Sequence, residues 1–449
     1  MERPPGEAMK PAAKLAPQPW MAAPETRAVT GALTAQGGEV RFVGGCVRDA
    51  VAGRPVRDID IATADPPERV IALLEAASLE AVPTGLTHGT VTAVSGGQPF
   101  EITTLREDVE TFGRHARVAF TDDWEADAAR RDFTFNAMSC GLDGSLYDPF
   151  GGRDDLAAGR VRFVGAAEAR IREDYLRLLR FFRFHAHYGR GAPDPEGLAA
   201  ARALAPQLKT LSGERLRNEL LRLLQAPEPV AVCRVMQENG VLPAFLPEAR
   251  SVERLAALTA VEPEVRLPGE AAGEGGGECG GECGGEGGPP DAVRRLAALL
   301  ATDAAGAEAV AGRLRLSKAE GKRLIALAAP AEPLAADSDR ADLRRAIHRH
   351  GRALVRDLLL LDWAGRASAG SSESSGPPDR QRLRAALAEL ADWEDPAFPL
   401  QGRDALALGV PAGPAVGRLL RLVEDWWMAE DFQPDREACL DRLKRLLAG

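Results

Sequence analysis

The hydrophobic positions of this chain follow different periods in its two parts. Over about residues 25–150, short apolar runs alternate with segments of helical periodicity, and the run Val40-Arg41-Phe42-Val43 is typical of a strand. After residue 154, apolar residues recur at spacings of three and four with few β-branched runs, which indicates amphipathic helices. The pattern predicts an α+β fold, in which a mixed sheet with helices is followed by helical domains alone.

A chain of 449 residues is long enough for three or four packed units. We expect an N-terminal extension, a head, a neck, a body and a tail, at residues 1–24, 25–153, 154–225, 226–330 and 331–449. Glu-Gly-Gly repeats at 269–290 predict a disordered insertion in the body, and the Ser- and Gly-rich stretch 367–378 predicts a loop. Cys279 and Cys283 form C-x₃-C, but no second ligand pair has matching spacing, so we expect no zinc site.

Asp58 and Asp60 are the first candidates for chemistry. Alternate side chains of a strand share a face, so the order Asp58-Ile59-Asp60-Ile61 predicts two carboxylates on one side and two isoleucines in a core. Such a pair can hold two Mg²⁺ ions roughly 4 Å apart. Two aspartates at this spacing are also common at solvated strand ends, so the pair gains weight only from its surroundings.

Gly44 and Gly45 supply those surroundings, because they end the strand that begins at Val40 and precede a predicted helix start. Bare backbone amides at a glycine turn can bind an anion without side chains in the way. Arg48 lies close by in sequence. Two glycines alone usually mark only a turn, whereas the joint pattern of strand, glycines, Val-Arg-Asp and Asp-x-Asp is hard to reach by chance.

This segment resembles the head domain of class II tRNA nucleotidyltransferases, the CCA-adding enzymes, and of their bacterial poly(A) polymerase relatives. The resemblance covers roughly residues 25–225. It continues in order through Gly85-Leu86-Thr87-His88-Gly89-Thr90, Glu101 to Arg106, Arg130 to Met138, Asp148 to Gly152 and Glu173 to Phe184. It implies a polymerase-beta-like nucleotidyltransferase head, a helical neck and body, and a tail that binds tRNA. The implied activity is template-independent addition of CCA to the 3′ end of tRNA from CTP and ATP, with Mg²⁺ as cofactor.

The resemblance also implies roles for residues around this aspartate pair. Glu101 is the candidate third catalytic carboxylate; the alternative is an edge-strand glutamate that faces water. Arg131 is implied to bind phosphate, and Asp132 and Asn136 to bind sugar hydroxyls. From the residues, we predict that Arg130 to Met138 open a helix, in which Asp132 and Asn136 share a face and could equally serve as a cap and a buried amide.

A helix predicted to begin at Glu173 carries arginines at every third position: Arg177, Arg180 and Arg183. Apolar residues surround them, so each is expected to be paired or to await a polyanion, and we count all three as nucleotide-binding candidates. Asp174 lies three residues before Arg177, where a surface ion pair is the simpler interpretation.

The resemblance assigns base selection to Asp174 and Arg177, and hydrogen-bond chemistry gives an independent reason. Cytosine and adenine each present an amino donor beside a ring-nitrogen acceptor, whereas uracil and guanine present a carbonyl beside a ring N–H. A carboxylate only accepts and a guanidinium only donates. The pair therefore admits C and A and rejects U and G. Downstream, Ser212 is a predicted helix N-cap, and Glu214, Arg215 and Glu219 are expected to support the preceding helix rather than bind ligands.

Charge and composition restrict where such an enzyme would act. The net charge of −10 argues against a uniformly basic nucleic-acid binder, but arginines outnumber acids between Arg153 and Arg190, which predicts a basic cleft along head and neck. Six scattered cysteines favour a reducing compartment, and we expect the cytoplasm. The sequence contains no apolar run of 18 residues, so we expect no transmembrane helix. We infer no protein partner.

Other activities find less support in the sequence. The Gly-Lys pair Gly321-Lys322 is followed by Arg323 where a Walker A loop needs Ser or Thr. Within the family, addition of CC or A alone and polyadenylation stay open, although Pro83 to Thr90 looks like the version in enzymes of full or partial CCA addition. A catalytically inactive RNA-binding protein on the same scaffold is the remaining alternative.

Overall fold

The computed structural model describes residues 9–112, 115–265, 290–335, 337–369 and 379–448. These residues fall into two compact units, the first formed by 9–249 with 290–292 and 312–316, and the second by 250–265, 293–311 and the described residues from 317 onward. The division falls at Ala249, inside the predicted body, so its first helices belong with head and neck. The predicted insertion, with Cys279 and Cys283, lies outside the described residues except for Pro290, as does most of the predicted loop 367–378.

An eight-stranded mixed sheet forms the centre of the first unit, in the order β1-β10-β9-β2-β3-β6-β5-β4. Neighbouring strands are antiparallel except for β3 and β6, which are parallel, and β7 and β8 form a separate hairpin. The strands are β1 Ala13–Lys14, β2 Val40–Val43, β3 Asp60–Thr63, β4 Glu80–Gly85, β5 Thr90–Ser95, β6 Gln98–Thr104, β7 Arg106–Phe112, β8 His115–Phe120, β9 Ser139–Gly141 and β10 Ser145–Tyr147. The predicted mixed sheet is confirmed.

The segment predicted as an N-terminal extension is part of this sheet. β1 pairs with β10, where Ala13 lies opposite Leu146, and Trp20 packs edge-on against Phe42 with ring centroids 4.8 Å apart. Phe42 itself is buried in β2, the central strand that leads to the candidate site. The head therefore begins before residue 25.

Helices cover the sheet and complete the first unit. They are α1 Pro19–Ala22, α2 Pro24–Thr34, α3 Gly45–Val51, α4 Pro67–Ala76, α5 Trp124–Ala129, α6 Gly152–Ala158, α7 Ala167–Glu173, α8 Leu176–Tyr188, α9 Pro195–Leu204, α10 Gly213–Leu224, α11 Pro229–Glu238 and α12 Val241–Phe245, with 3₁₀ turns at Leu86–His88, Thr134–Asn136 and Ala205–Thr210. The apolar faces of α2 and α4 bury Val29, Leu33, Val70 and Leu74. This burial follows the three- and four-residue spacing of these side chains.

Two predicted helix boundaries are wrong. Arg130 to Met138 contain only the 3₁₀ turn, because Phe133 is extended and the flanking backbone groups bond to a neighbouring segment, with Thr134 N donating to Arg162 O at 3.0 Å. Glu173 ends α7 instead of starting a helix. Asp174 is extended there, with φ −152° and ψ 108°, and α8 begins at Leu176.

The second unit is helical throughout its described residues. It contains α13 Val252–Val261, a 3₁₀ turn Glu262–Val265, α14 Ala292–Leu299, α15 Ala304–Arg313, α16 Lys318–Ala328, α17 Arg340–His350, α18 Arg352–Ser368, α19 Arg380–Asp392, α20 Gly402–Ala407, α21 Pro414–Ala429 and α22 Arg436–Ala448, although Ala292 and the end of α15 group with the first unit. Fully buried Asp357 accepts from Arg294 and Arg323. Among the described residues, no helix is long and apolar enough to cross a bilayer.

Candidate active site

Three candidate carboxylates converge at one end of the sheet. Asp60 begins β3 and lies in register with Val43 of β2 on one side and Glu101 of β6 on the other. Asp58 precedes the strand in a bend, yet burial alternates as predicted, since Asp58 is exposed while Ile59 and Ile61 are buried. In-register residues of neighbouring strands project from the same face. Glu101 therefore joins the aspartate pair instead of facing away from it.

This carboxylate group is electrostatically strained. Burial, then the charge of Glu101 and, to a smaller extent, that of Asp58 raise the pKa of Asp60 to about 6, while the charges of Arg131 and Arg48 act in the opposite direction. Burial and neighbouring negative charges both favour the neutral form of a carboxyl group. The site is short of positive charge.

Such a site fits a divalent cation that shares its ligands with a substrate. Within the described ranges, no group of three or more His, Cys, Asp or Glu side chains is arranged to hold a metal ion by itself. Mg²⁺ is usually bound through one or two carboxylates and completes its shell with waters and substrate phosphates. Asp58 and Asp60 match that donor set, and a bound cation would relieve the repulsion that raises the pKa of Asp60.

The glycine turn brings backbone without side chains next to Asp60. Gly44 has φ 69° and ψ −130°, and a Cβ atom there would lie 3.3 Å from Asp60 Oδ2 and 3.6 Å from Arg131 Nη1. Only a residue without a side chain suits this conformation and this space. Gly45 begins α3, and Arg48, one turn later, is buried. The backbone of the turn, one carboxylate and one guanidinium thus meet at a single place.

Asp132 and Asn136 are brought together as predicted, although on a 3₁₀ turn. Asn136 Nδ2 donates to Asp132 Oδ1 at 3.0 Å, and Asn136 Oδ1 accepts from Arg48 Nη1 at 3.1 Å. Arg180 Nε donates to Asp132 Oδ2 at 2.6 Å. Burial alone would favour the neutral acid, but the charge of Arg180 and the hydrogen bonds of Asn136 and Arg180 lower the pKa of Asp132 to about 2. A fixed polar group therefore links α3, the 3₁₀ turn and α8.

Asp174 and Arg177 do not form the surface ion pair that was the simpler interpretation. Asp174 Oδ2 accepts from Arg215 Nη2 at 2.7 Å, and Asp174 Oδ1 accepts from Leu176 N at 3.1 Å. Arg177 pairs with Glu173 at 2.5 Å and donates to the backbone carbonyl of Arg130 at 3.2 Å. Both side chains are partly exposed, and each is held in place by its own hydrogen-bond partners.

Arg183 differs from Arg177 and Arg180, the other two arginines at every third position of α8. Its side chain is 2% exposed and donates through Nε to Glu219 Oε2 at 2.6 Å. Glu219 also lies 3.7 Å from Arg180 Nη1. Arg183 and Glu219 thus fix α8 to α10 inside the unit. Glu219 and Arg215 lie where support of the preceding helix was predicted.

Two further residues clarify the chemistry of the site. Cys46 is no candidate nucleophile, because burial, and to a smaller extent the charge of Asp60, raises the pKa of its thiol to about 12. Asp127 was not selected from the sequence, yet it contacts both Arg130 and Arg131. The available signal was an acid that stands three and four residues before two consecutive arginines in a short amphipathic segment.

The chain is similar to known proteins over most of its length. The family model described as "Poly A polymerase head domain" matches residues 40–162, and the one described as "Probable RNA and SrmB- binding site of polymerase A" matches residues 192–252. The "CCA tRNA nucleotidyltransferase 1, mitochondrial" of Danio rerio is 34% identical over 420 residues, which cover 91% of this chain and 87% of that protein.

Bacterial relatives extend the likeness. The "CCA-adding enzyme" of Geobacillus stearothermophilus is 39% identical over 231 residues, which cover 51% of this chain and 55% of that protein. A crystal structure of the Bacillus stearothermophilus CCA-adding enzyme in complex with CTP matches with a TM-score of 0.71 and 26% identity, covering 96% of this chain and 98% of that one. Sequence and fold thus agree over nearly the whole length of the chain.

Proposed function

Because the chain belongs to the family of CCA tRNA nucleotidyltransferases, we propose that it adds CCA to the 3′ end of tRNA without a template, using CTP and ATP and releasing pyrophosphate. One structural observation carries the proposal. Asp60, Gly44 and Arg131 meet at one end of the sheet, and Arg131 is followed in sequence by Asp132, which bonds to the helix that Asp174 precedes. The proposed sites for metal, phosphate and base would therefore be adjacent.

Members of this family of nucleotidyltransferases depend on a divalent metal, and we propose Mg²⁺, held by Asp58 and Asp60. When bound, it would lower the pKa of the attacking 3′ hydroxyl and stabilise the charge on the departing pyrophosphate. Glu101, in register with Asp60, is placed to complete this carboxylate group or to orient the primer hydroxyl. The raised pKa of Asp60 supports a site that favours added positive charge.

Arg131 and the turn at Gly44 and Gly45 would receive the triphosphate. A guanidinium binds phosphate oxygens in a fixed geometry, and glycines let the phosphate approach the backbone closely. Asp132 and Asn136 would accept the ribose hydroxyls, with Arg180 holding the first and Arg48 the second. Arg48 acts in this proposal through Asn136, because Arg48 is itself buried.

Asp174 and Arg177 would select the base. Arg215 and the Leu176 amide each occupy part of the acceptor capacity of Asp174, which leaves further lone pairs for an amino group of cytosine or adenine. Three of the five N–H donors of Arg177 contact Glu173 and the backbone carbonyls of Arg170 and Arg130, which leaves donors for the ring nitrogen. A wrong base would leave buried polar groups unpaired, at a cost of about 1–3 kcal/mol each. We assign Arg183 to holding α8 in place.

The test is to incubate tRNA that lacks its 3′ CCA, and separately tRNA that ends in CC, with CTP, ATP and Mg²⁺ and to sequence the extended ends. Full activity predicts products that stop after CCA, whereas ends in CC, in a single A on a CC primer, or in a long A tract would identify the alternative activities. No incorporation of either nucleotide would indicate a non-catalytic RNA-binding protein. Asp58→Ala is expected to abolish both additions, because one cation ligand is lost.

We further propose a cytoplasmic location. Cys46, Cys140, Cys233 and Cys439 are buried free thiols, which supports a reducing compartment. Vertebrate relatives carry "mitochondrial" in their names. Cell fractionation followed by detection of this chain distinguishes the two locations, and recovery with mitochondria alone would contradict the proposal.

A further inference from the structure

Asp127 is a buried carboxylate that the steps above leave without a role. It lies within α5, with its side chain 5% exposed. Its Oδ1 atom accepts from Arg130 Nη2 at 2.7 Å and Nε at 2.9 Å, and its Oδ2 atom accepts from Arg131 Nη2 at 3.1 Å and Nε at 3.3 Å. Oδ1 is also 3.3 Å from the backbone amide of Arg106. One carboxylate shared by two guanidiniums has no charge to spare for a cation.

Arg131 connects Asp127 to the candidate active site. While Nε and Nη2 face Asp127, Nη1 donates to the carbonyl of Asn136 at 3.3 Å and approaches Gly44. The positive charge of Arg131 is also close enough to Asp60 to oppose the rise of its pKa. Without Asp127, the guanidinium would be drawn toward Asp60, where it would compete with a cation instead of awaiting phosphate.

Arg130 extends the influence of Asp127 to the base-selecting residues. Arg130 Nε donates to the carbonyl of Arg106 at 3.1 Å as well as to Asp127. The backbone carbonyl of Arg130 accepts from Arg177 Nη2 at 3.2 Å. The short segment that Asp127 holds therefore positions Arg131 for the triphosphate. Its Arg130 carbonyl also holds Arg177, which is proposed to contact the base.

We propose that Asp127 is a positioning residue for nucleotidyl transfer, which holds Arg131 where the triphosphate of the incoming nucleotide binds and steadies the backbone at Arg130 that Arg177 contacts. The inference rests on the proposed function. Asp127 touches no substrate and acts through its two arginines. Four hydrogen bonds to one buried carboxylate order two arginine side chains before the nucleotide arrives, so their ordering need not be repeated in each catalytic cycle.

Asp127→Asn is the first test, because the amide keeps the shape, loses the charge and turns N–H donors toward a guanidinium. We expect kcat/KM for both ATP and CTP to fall about 10- to 100-fold while KM for tRNA stays within about twofold. Asp127→Glu, which keeps the charge, is expected to recover part of the loss. Glu125→Gln removes an exposed acid from the same helix and should leave every constant unchanged.

A double-mutant cycle separates positioning from general stability. If Asp127 acts through Arg131, the variant Asp127→Asn/Arg131→Ala should be no worse than Arg131→Ala within about twofold. The proposal would be overturned if the losses in kcat/KM of the two single variants multiply in the double variant. It would also be overturned if Asp127→Asn leaves kcat/KM for ATP and CTP unchanged, or if it raises KM for tRNA by as much as it lowers these values. Should Asp127→Asn not fold, the same constants of Asp127→Glu decide, and wild-type values there overturn it. Wild-type protein that fails to incorporate nucleotides would instead refute the proposed function.

Discussion

In the proposed function, base choice depends on the side chains of Asp174 and Arg177 and on the contacts that hold them. Arg177→Ala removes the donor to the ring nitrogen while Asp174 keeps its bonds to Arg215 and the Leu176 amide. We expect the preference for C and A over U and G to fall about tenfold or more, before transfer itself is lost. Single-turnover incorporation measured with each of the four nucleoside triphosphates checks this. Wild-type selectivity in the variant would disprove the donor and acceptor argument.

Arg215→Ala should act differently, because it frees the carboxylate of Asp174 without removing it. We expect kcat/KM to fall for CTP and ATP alike, by about tenfold, as Asp174 loses its fixed orientation. Arg217→Ala, two residues further along α10, is the matched control, since Arg217 contacts Asn218 and the Arg315 carbonyl instead. Equal losses in both variants would mean that α10 is merely destabilised.

His185 makes the stability of the first unit depend on pH. Burial lowers its pKa, although the bond to the Gly191 carbonyl acts in the opposite direction. The unfolded chain therefore binds a proton more readily than the folded chain, and stability must decrease as pH falls through about 6.5. Urea unfolding at pH 8, 7 and 6 should show a smaller loss for His185→Gln than for wild type. Exposed His88→Gln should behave as wild type, and identical profiles for all three would refute the assignment.

At the scale of elements, local signals predicted some boundaries and tertiary contacts decided others. The strand that begins at Val40 and its glycine turn were predictable, because a short apolar run and two glycines act locally. The segment 130–138 has helical periodicity but bonds to the chain near Arg162, and Asp174 leaves the helix where it meets Arg215. These partners lie tens of residues away in sequence, so the local hydrophobic periodicity could not predict their contacts.

The same distinction explains the site. Residue types and spacing selected Asp58 and Asp60, whereas Glu101 was selected through the family resemblance, and the register of β3 with β6 places Glu101 beside Asp60. Which of these arginines is buried could not be predicted, because Arg180 and Arg183 have equivalent sequence surroundings. Only packing against α10 buries the second and leaves the first partly exposed.

The glycine turn between β2 and α3 is the element most sensitive to a single methyl group. Gly44→Ala would force a side chain into the region φ 69°, ψ −130° and place it 3.3 Å from Asp60 Oδ2. We expect a loss of about 1–3 kcal/mol in the free energy of unfolding and a clear fall in kcat/KM for nucleotide. Gly31→Ala in α2 has open space around the new atom and should be neutral or stabilising by up to about 1 kcal/mol. Urea unfolding and nucleotide kinetics of the two variants decide, and equal stability would contradict the strain argument.

At the scale of the whole molecule, net charge and local charge point to different partners. The chain carries −10, yet residues 153–190 contain nine arginines against five acids. Part of that surplus is consumed internally, since Asp155 pairs with Arg160 and Arg162, and Glu168 pairs with Arg172. The basic cleft therefore stays a prediction that concerns a few exposed arginines, and it is smaller than the sequence count suggests.

Arg190 is the most direct test of that cleft. It is exposed, and its Nη1 makes only a long contact, 3.4 Å, to the carbonyl of Ala157. If it meets a tRNA phosphate, Arg190→Glu should raise KM for tRNA about three- to tenfold with KM for nucleotide unchanged, and the dependence of log KM on log salt should become shallower by about one unit. Arg27→Glu, an equal charge change at an exposed position of α2, should alter neither constant. If KM for tRNA in Arg190→Glu equals the wild-type value from low to high salt, the tRNA does not contact Arg190. A contact between arginine and phosphate must weaken as salt screens the two charges.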